Sequence, residues 1–87
     1  MTEETLFEFP CAFPIKIMGA HRGDFEQEIL KALDAHVGPI EPHQVQTRLS
    51  RNGQYISLTL TFEAQSKSQI DDVYRCLTAH PWVKLVF

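Results

Sequence analysis

The sequence predicts an α+β fold in the order β-α-β-β-α-β, with four antiparallel strands in one sheet and two helices on one of its faces. Three observations carry that prediction. Residues His43 to Ala64 alternate apolar and polar side chains on either side of an Asn-Gly pair. Two stretches, following Asp24 and Ser66, repeat apolar residues every three or four positions. Two short apolar runs, Phe13–Met18 and Trp82–Phe87, supply the first and last strands.

Taken in order, residues 1–6 read as a flexible, acidic N-terminal tail, and residues 7–87 as one domain. Phe7, Phe9 and Phe13 lie among Pro10 and Pro14, which forbid a helix, so residues 7–12 form an extended arm that covers part of the core or a sheet edge. In the first strand Phe13, Ile15 and Ile17 point one way and Pro14, Lys16 and Met18 the other. Gly19 ends it. The loop Gly19-Ala20-His21-Arg22-Gly23 leads to Asp24, an N-cap with Gln27 at the capping-box position. Phe25, Ile29, Leu33 and Val37 form the buried stripe of a first helix, which Gly38-Pro39 stops.

The central hairpin follows. Val45, Thr47 and Leu49 alternate with Gln44, Gln46 and Arg48, and Ile56, Leu58, Leu60 and Phe62 with Tyr55, Ser57, Thr59 and Thr61. The tip Arg51-Asn52-Gly53-Gln54 predicts a type I′ turn, because Asn and Gly both tolerate positive φ. Ser66 caps the second helix, with Gln69 in the reciprocal position and Ile70, Val73, Tyr74 and Leu77 as its buried stripe. His80-Pro81 ends it. In the last strand Val83, Leu85 and Phe87 are expected on the helix side, and Trp82, Lys84 and Val86 on the other. Right-handed crossovers then give a sheet in the order 4-1-3-2, the ferredoxin-like sandwich.

Charge and composition narrow the function classes. The chain has a net charge of −3, its lysines and arginines are scattered, and no run approaches a membrane span. The start, Met1-Thr2-Glu3-Glu4-Thr5, lacks the basic region of a secretory signal, so a cytoplasmic protein is expected. Cys11 and Cys76 are far apart and read as free thiols. His21, His36, His43 and His80 show no metal-ligand spacing, and Asp71 and Asp72 complement a helix dipole, so neither a metal, a cofactor nor an enzyme is expected. An RNA-recognition sheet shares this topology and stacks bases on central-strand aromatics; here Tyr55 is the one aromatic so placed, and the chain is acidic, which argues against nucleic acid.

Two places remain for a ligand or partner. The loop of Gly19, His21, Arg22 and Gly23 feeds a helix N-terminus, where free amides favour an anionic group, so these four residues are the candidate ligand site. The strand Trp82–Phe87 is an apolar sheet edge with Lys84 as its side-chain charge, suited to pairing with a second copy in a homodimer or with another chain.

Phe9-Pro10, Phe13, Lys16 and Gly19, then Ser50, Gly53, Tyr55 and Ser57, then Tyr74, Leu77, Val83 and Leu85 together resemble the YbeD-like family of small bacterial proteins of unknown function, over nearly the whole chain. The resemblance implies a fold similar to the regulatory ACT domains, which bind amino acids and associate through sheet edges or faces. It also implies a setting near lipoate metabolism. The reading is therefore a regulatory or interaction module that binds a small metabolite or a protein partner. The alternatives are a self-associating domain without a ligand, and an RNA-binding module.

Overall fold

The computed structural model describes residues 8–87. The expected tail at 1–6 and the first residue of the arm lie outside them. The strands are β1 (Cys11–Ala20), β2 (Val45–Leu49), β3 (Tyr55–Ala64) and β4 (Val83–Val86); the helices are α1 (Phe25–Val37) and α2 (Lys67–Thr78). The sheet order is β2-β3-β1-β4, the predicted ferredoxin-like arrangement.

Alternation decides which face is buried. Ile15 and Ile17 on β1 pair with Leu60 and Leu58 on β3, and all four are at most 1% exposed beneath the helices. From α1 Phe25, Ile29 and Leu33 complete the core, and from α2 Ile70, Val73 and Leu77. Each such side chain contributes roughly 1.5–3 kcal/mol by leaving water. Pro14 interrupts β1 without harm: β4 pairs with β1 only as far as Lys16, through Phe87, so at Pro14 the strand is a sheet edge.

Several local details differ from the sequence prediction. β1 begins at Cys11, so part of the expected arm belongs to the sheet, while Phe9 packs against the core. Residues Pro42–Gln44 form a short 3-10 turn, and β2 starts at Val45 rather than His43. The cause is Gln44, which accepts from the Glu41 amide at 2.8 Å and donates to the Thr61 carbonyl at 3.1 Å. Asp24 makes no side-chain cap. Its ψ of 32° lies outside the extended region a capping side chain needs, and the first amides of α1 bond to the carbonyls of Arg22 and Asp24 instead. Ser66 does cap α2, accepting from the Gln69 amide at 3.1 Å. Gln69 reaches one residue further back, to the Gln65 amide, and ties α2 to the His36 carbonyl at the end of α1.

The hairpin tip is a four-residue loop, not a type I′ turn. Gly53 has φ +75°, and no non-glycine residue among the described residues has positive φ, which excludes Asn52 from the left-handed region. The Gly53 amide donates to the Ser50 carbonyl at 2.9 Å, closing a turn with serine first and glycine fourth. Asn52 serves through its side chain: its Oδ1 accepts from the Gln54 amide and the Ser50 hydroxyl.

The largest correction concerns β4. Ile17 pairs with Val86 and Met18 with Leu85, but Gly19 pairs with Val83. Lys84 is the extra residue of a β-bulge, and one extra residue exchanges the two faces of the strand beyond it. Val83 and Val86 therefore face the core. Leu85 and Phe87, expected beneath the helices, lie on the open face at 53% and 60% exposure.

Candidate functional site

Three of the four residues of the predicted ligand loop, Gly19, His21 and Arg22, are held by contacts within the chain. Gly19, expected to end the first strand and open the loop, instead lies within β1, which continues through Ala20, and no side chain fits there: a Cβ would collide with the Trp82 carbonyl and the Phe25 ring. His21 clasps the hairpin tip. Its amide donates to the Gln54 carbonyl at 2.8 Å, and Nδ1 lies 3.1 Å from the Gly53 carbonyl, so Nδ1 carries the proton. The Arg22 guanidinium lies over the Trp82 ring, 4.9 Å from its centroid, a cation–π contact. Gly23 is exposed, and a Cβ there would meet open space. The loop thus joins β1, the hairpin tip and the start of β4.

The other histidines are apart from it or structural. His80 accepts from the Trp82 amide through Nδ1 at 3.1 Å, which leaves Nε2 to donate to Glu28 on α1 at 3.4 Å. Among the described residues no group of three or more His, Cys, Asp or Glu is placed to hold a metal ion. Cys11 and Cys76 are free thiols, and the Cys76 thiol lies 3.5 Å from the Ala32 carbonyl between the helices. No helix among the described residues is long and apolar enough to cross a membrane.

The open face of the sheet is the second candidate surface. The helices cover one side only, and the other presents alternate residues of all four strands. Register places Gln46, Thr59 and Lys16 in one row and Arg48, Ser57, Met18 and Leu85 in the next. Lys16, Gln46, Arg48, Ser57 and Thr59 line a shallow depression of about 560 Å³. A smaller hollow of about 150 Å³ adjoins it, bounded by Met18, Leu49 and Tyr55. Tyr55, Leu85 and Phe87 stand at 48–60% exposure on the same face.

Charge is distributed unevenly over the two layers. Glu26, Glu28, Asp34, Asp71 and Asp72 all lie on the helices. Two cations of α2 are matched there: Lys67 meets Asp71 at 3.1 Å, and Arg75 meets Asp72 at 2.8 Å, a hydrogen bond that raises the guanidinium pKa further. Lys16 and Arg48 on the open face have no ion-pair partner among the described residues. This face can donate hydrogen bonds to an anion and cover apolar surface. The alternation of β1 and β3 announced its polar half. Its apolar half came from the bulge, which no residue of the apolar run Trp82–Phe87 signals.

The family model of a protein of unknown function (DUF493) matches residues 4–87. A UPF0250 protein of Paraburkholderia phytofirmans is 47% identical over 83 residues, covering 95% of this chain and 93% of the relative. One from Nitrosomonas europaea is 43% identical and covers 99% of both chains, and one from Neisseria gonorrhoeae is 41% identical over the same share. The solution structure of protein HP0495 from H. pylori superposes with a TM-score of 0.75 at 12% identity, over 93% of this chain and 85% of that one. At that identity the likeness concerns the fold.

Proposed function

The chain belongs to the DUF493 family of small bacterial proteins, and on that premise we propose that it is a non-catalytic, ACT-like interaction module that binds a protein partner across the open face of its sheet. The observation that carries this reading is the grouping of Tyr55, Leu85 and Phe87 on one uncovered face, beside Met18. Contiguous exposed apolar surface mixed with polar groups is the usual character of a protein-binding surface. A small metabolite would be enclosed by a deeper pocket than this shallow one. In this proposal the loop of Gly19, His21, Arg22 and Gly23 is the fixed rim of the face, holding the Tyr55 end of the hairpin in place.

The test is photo-crosslinking in the producing cell, with the reactive residue introduced at Leu85 or, as control, at Lys31 on α1. Adducts from position 85 that are missing from position 31 support the reading. Adducts of twice the chain's own mass replace it with self-association. Equal adducts from both positions, or none from position 85, refute it.

A further inference from the structure

We infer that the depression between Lys16 and Arg48 is a carboxylate-binding site, which recognises an extended acidic segment of a partner protein; this rests on the open face being the binding surface. Lys16 comes from β1 and Arg48 from β2, with β3 between them. The pairings Lys16–Thr59–Gln46 and Met18–Ser57–Arg48 set the two cations on a diagonal across Thr59 and Ser57. Two strand spacings across and two residues along separate their Cα atoms by about 12 Å. Both side chains are long enough to reach over the hydroxyls between them.

Ser57 is only 8% exposed although its face has no covering layer, because the neighbouring side chains close around it. Among the described residues its hydroxyl and that of Thr59 have no hydrogen-bond partner, and neither cation has an ion-pair partner. The floor of the depression therefore offers hydroxyl donors, with a carboxamide from Gln46 and a cation on either side. Arg48 can take a carboxylate through two parallel hydrogen bonds, and Lys16 a second one as a point charge. Glu63, which β3 places on the same face, stands at the far end of that strand and accepts from Gln65.

The surroundings select the occupant. Leu85, Phe87 and Tyr55 extend the apolar surface well beyond the reach of a small anion. A polyanion such as RNA meets the net charge of −3 and the acidic helices, whereas a short acidic segment engages only the local cations. Face-to-face pairing with a second copy would bring the cations of both molecules together.

The experiment is an NMR titration of the labelled full chain. The probes are a short peptide alternating glutamate with leucine, the same peptide with glutamine for glutamate, an oligouridylate and inorganic phosphate. The expected result is that the glutamate peptide shifts the amides of Lys16, Arg48, Ser57 and Thr59 and outcompetes the other probes. Lys16→Gln and Arg48→Gln should each weaken it about two- to fivefold, the range spanned by exposed ion pairs. The pair should combine to about the product of the two. Lys31→Gln on α1 should leave it unchanged. If the peptide shifts the open face but the two variants bind it as wild type does, or if the glutamine peptide binds equally, the carboxylate site is refuted while the face survives. Shifts confined to the helices, or none, refute both. Tighter binding of the oligouridylate overturns the assignment to an acidic protein.

Discussion

Leu85 lies opposite Met18 on the open face of the sheet, although the alternation of its own strand points it toward the core. The relationship is produced by Lys84, the extra residue between the Met18–Leu85 and Gly19–Val83 pairs. It turns an apolar residue from core filling into surface, and gives the face its apolar flank.

Gly19, near the end of β1, and Gly23, in the loop that follows it, should respond oppositely to substitution. Gly19→Ala drives a methyl into the Trp82 carbonyl and the Phe25 ring, and should cost about 1–3 kcal/mol or more. Gly23→Ala meets open space and should stay within about 0.5 kcal/mol. Chemical denaturation of the two variants checks this; equal losses would contradict the junction.

His21→Ala removes the side-chain bond to the Gly53 carbonyl and keeps the amide bond to Gln54. The expected loss is about 0.5–1.5 kcal/mol, with faster amide exchange confined to the hairpin tip at residues 50–55. Unchanged exchange there would mean that the clasp does not hold the hairpin.

Gly53→Val places a β-branched side chain at φ +75° with no steric neighbour, so its cost is backbone strain of about 1–3 kcal/mol. Asn52→Gly separates the turn types. A type I′ turn would accept glycine readily, whereas the observed loop loses the Oδ1 bonds to Gln54 and Ser50, at about 0.5–1.5 kcal/mol. A melting temperature at or above wild type for Asn52→Gly would favour the type I′ turn.

The two faces of β3 should differ sharply. Leu60→Ala empties a fully buried position and should cost about 2–5 kcal/mol. Thr59→Ala, next to it on the open face, should stay within about 1 kcal/mol. Equal losses in urea titration would contradict a sheet covered on one side.

The fold was legible in the sequence because each element has a periodic signal of its own. Ile56, Leu58, Leu60 and Phe62 allow one register only, since a slip of one residue would exchange them for Tyr55, Ser57, Thr59 and Thr61. β4 has no such constraint. Trp82, Val83, Leu85, Val86 and Phe87 are apolar on both sides of Lys84, so either face could have turned inward, and pairing with Met18 and Gly19 decided it. Asn52-Gly53 marked the turn correctly, but its type depended on Ser50, whose hydroxyl accepts from the Tyr55 amide and widens the loop. Of the candidate loop, residues 21–23 were legible as a loop, while Gly19 and Ala20 extend β1. That His21 reaches Gly53, and Arg22 reaches Trp82, are contacts across 32 and 60 positions that no local pattern encodes.

The open face as the partner-binding surface can be tested within one molecule, because the chain has two tyrosines on different layers: Tyr55 on the open face and Tyr74 on α2. With 3-fluorotyrosine incorporated, fluorine NMR reads both at once, in purified protein and in intact producing cells. The prediction is that the Tyr55 resonance shifts or broadens in the cell while that of Tyr74 keeps its purified position, and that Lys16→Gln with Arg48→Gln restores the Tyr55 signal toward its free state. A Tyr55 resonance identical in cell and buffer, or a change confined to Tyr74, would contradict it.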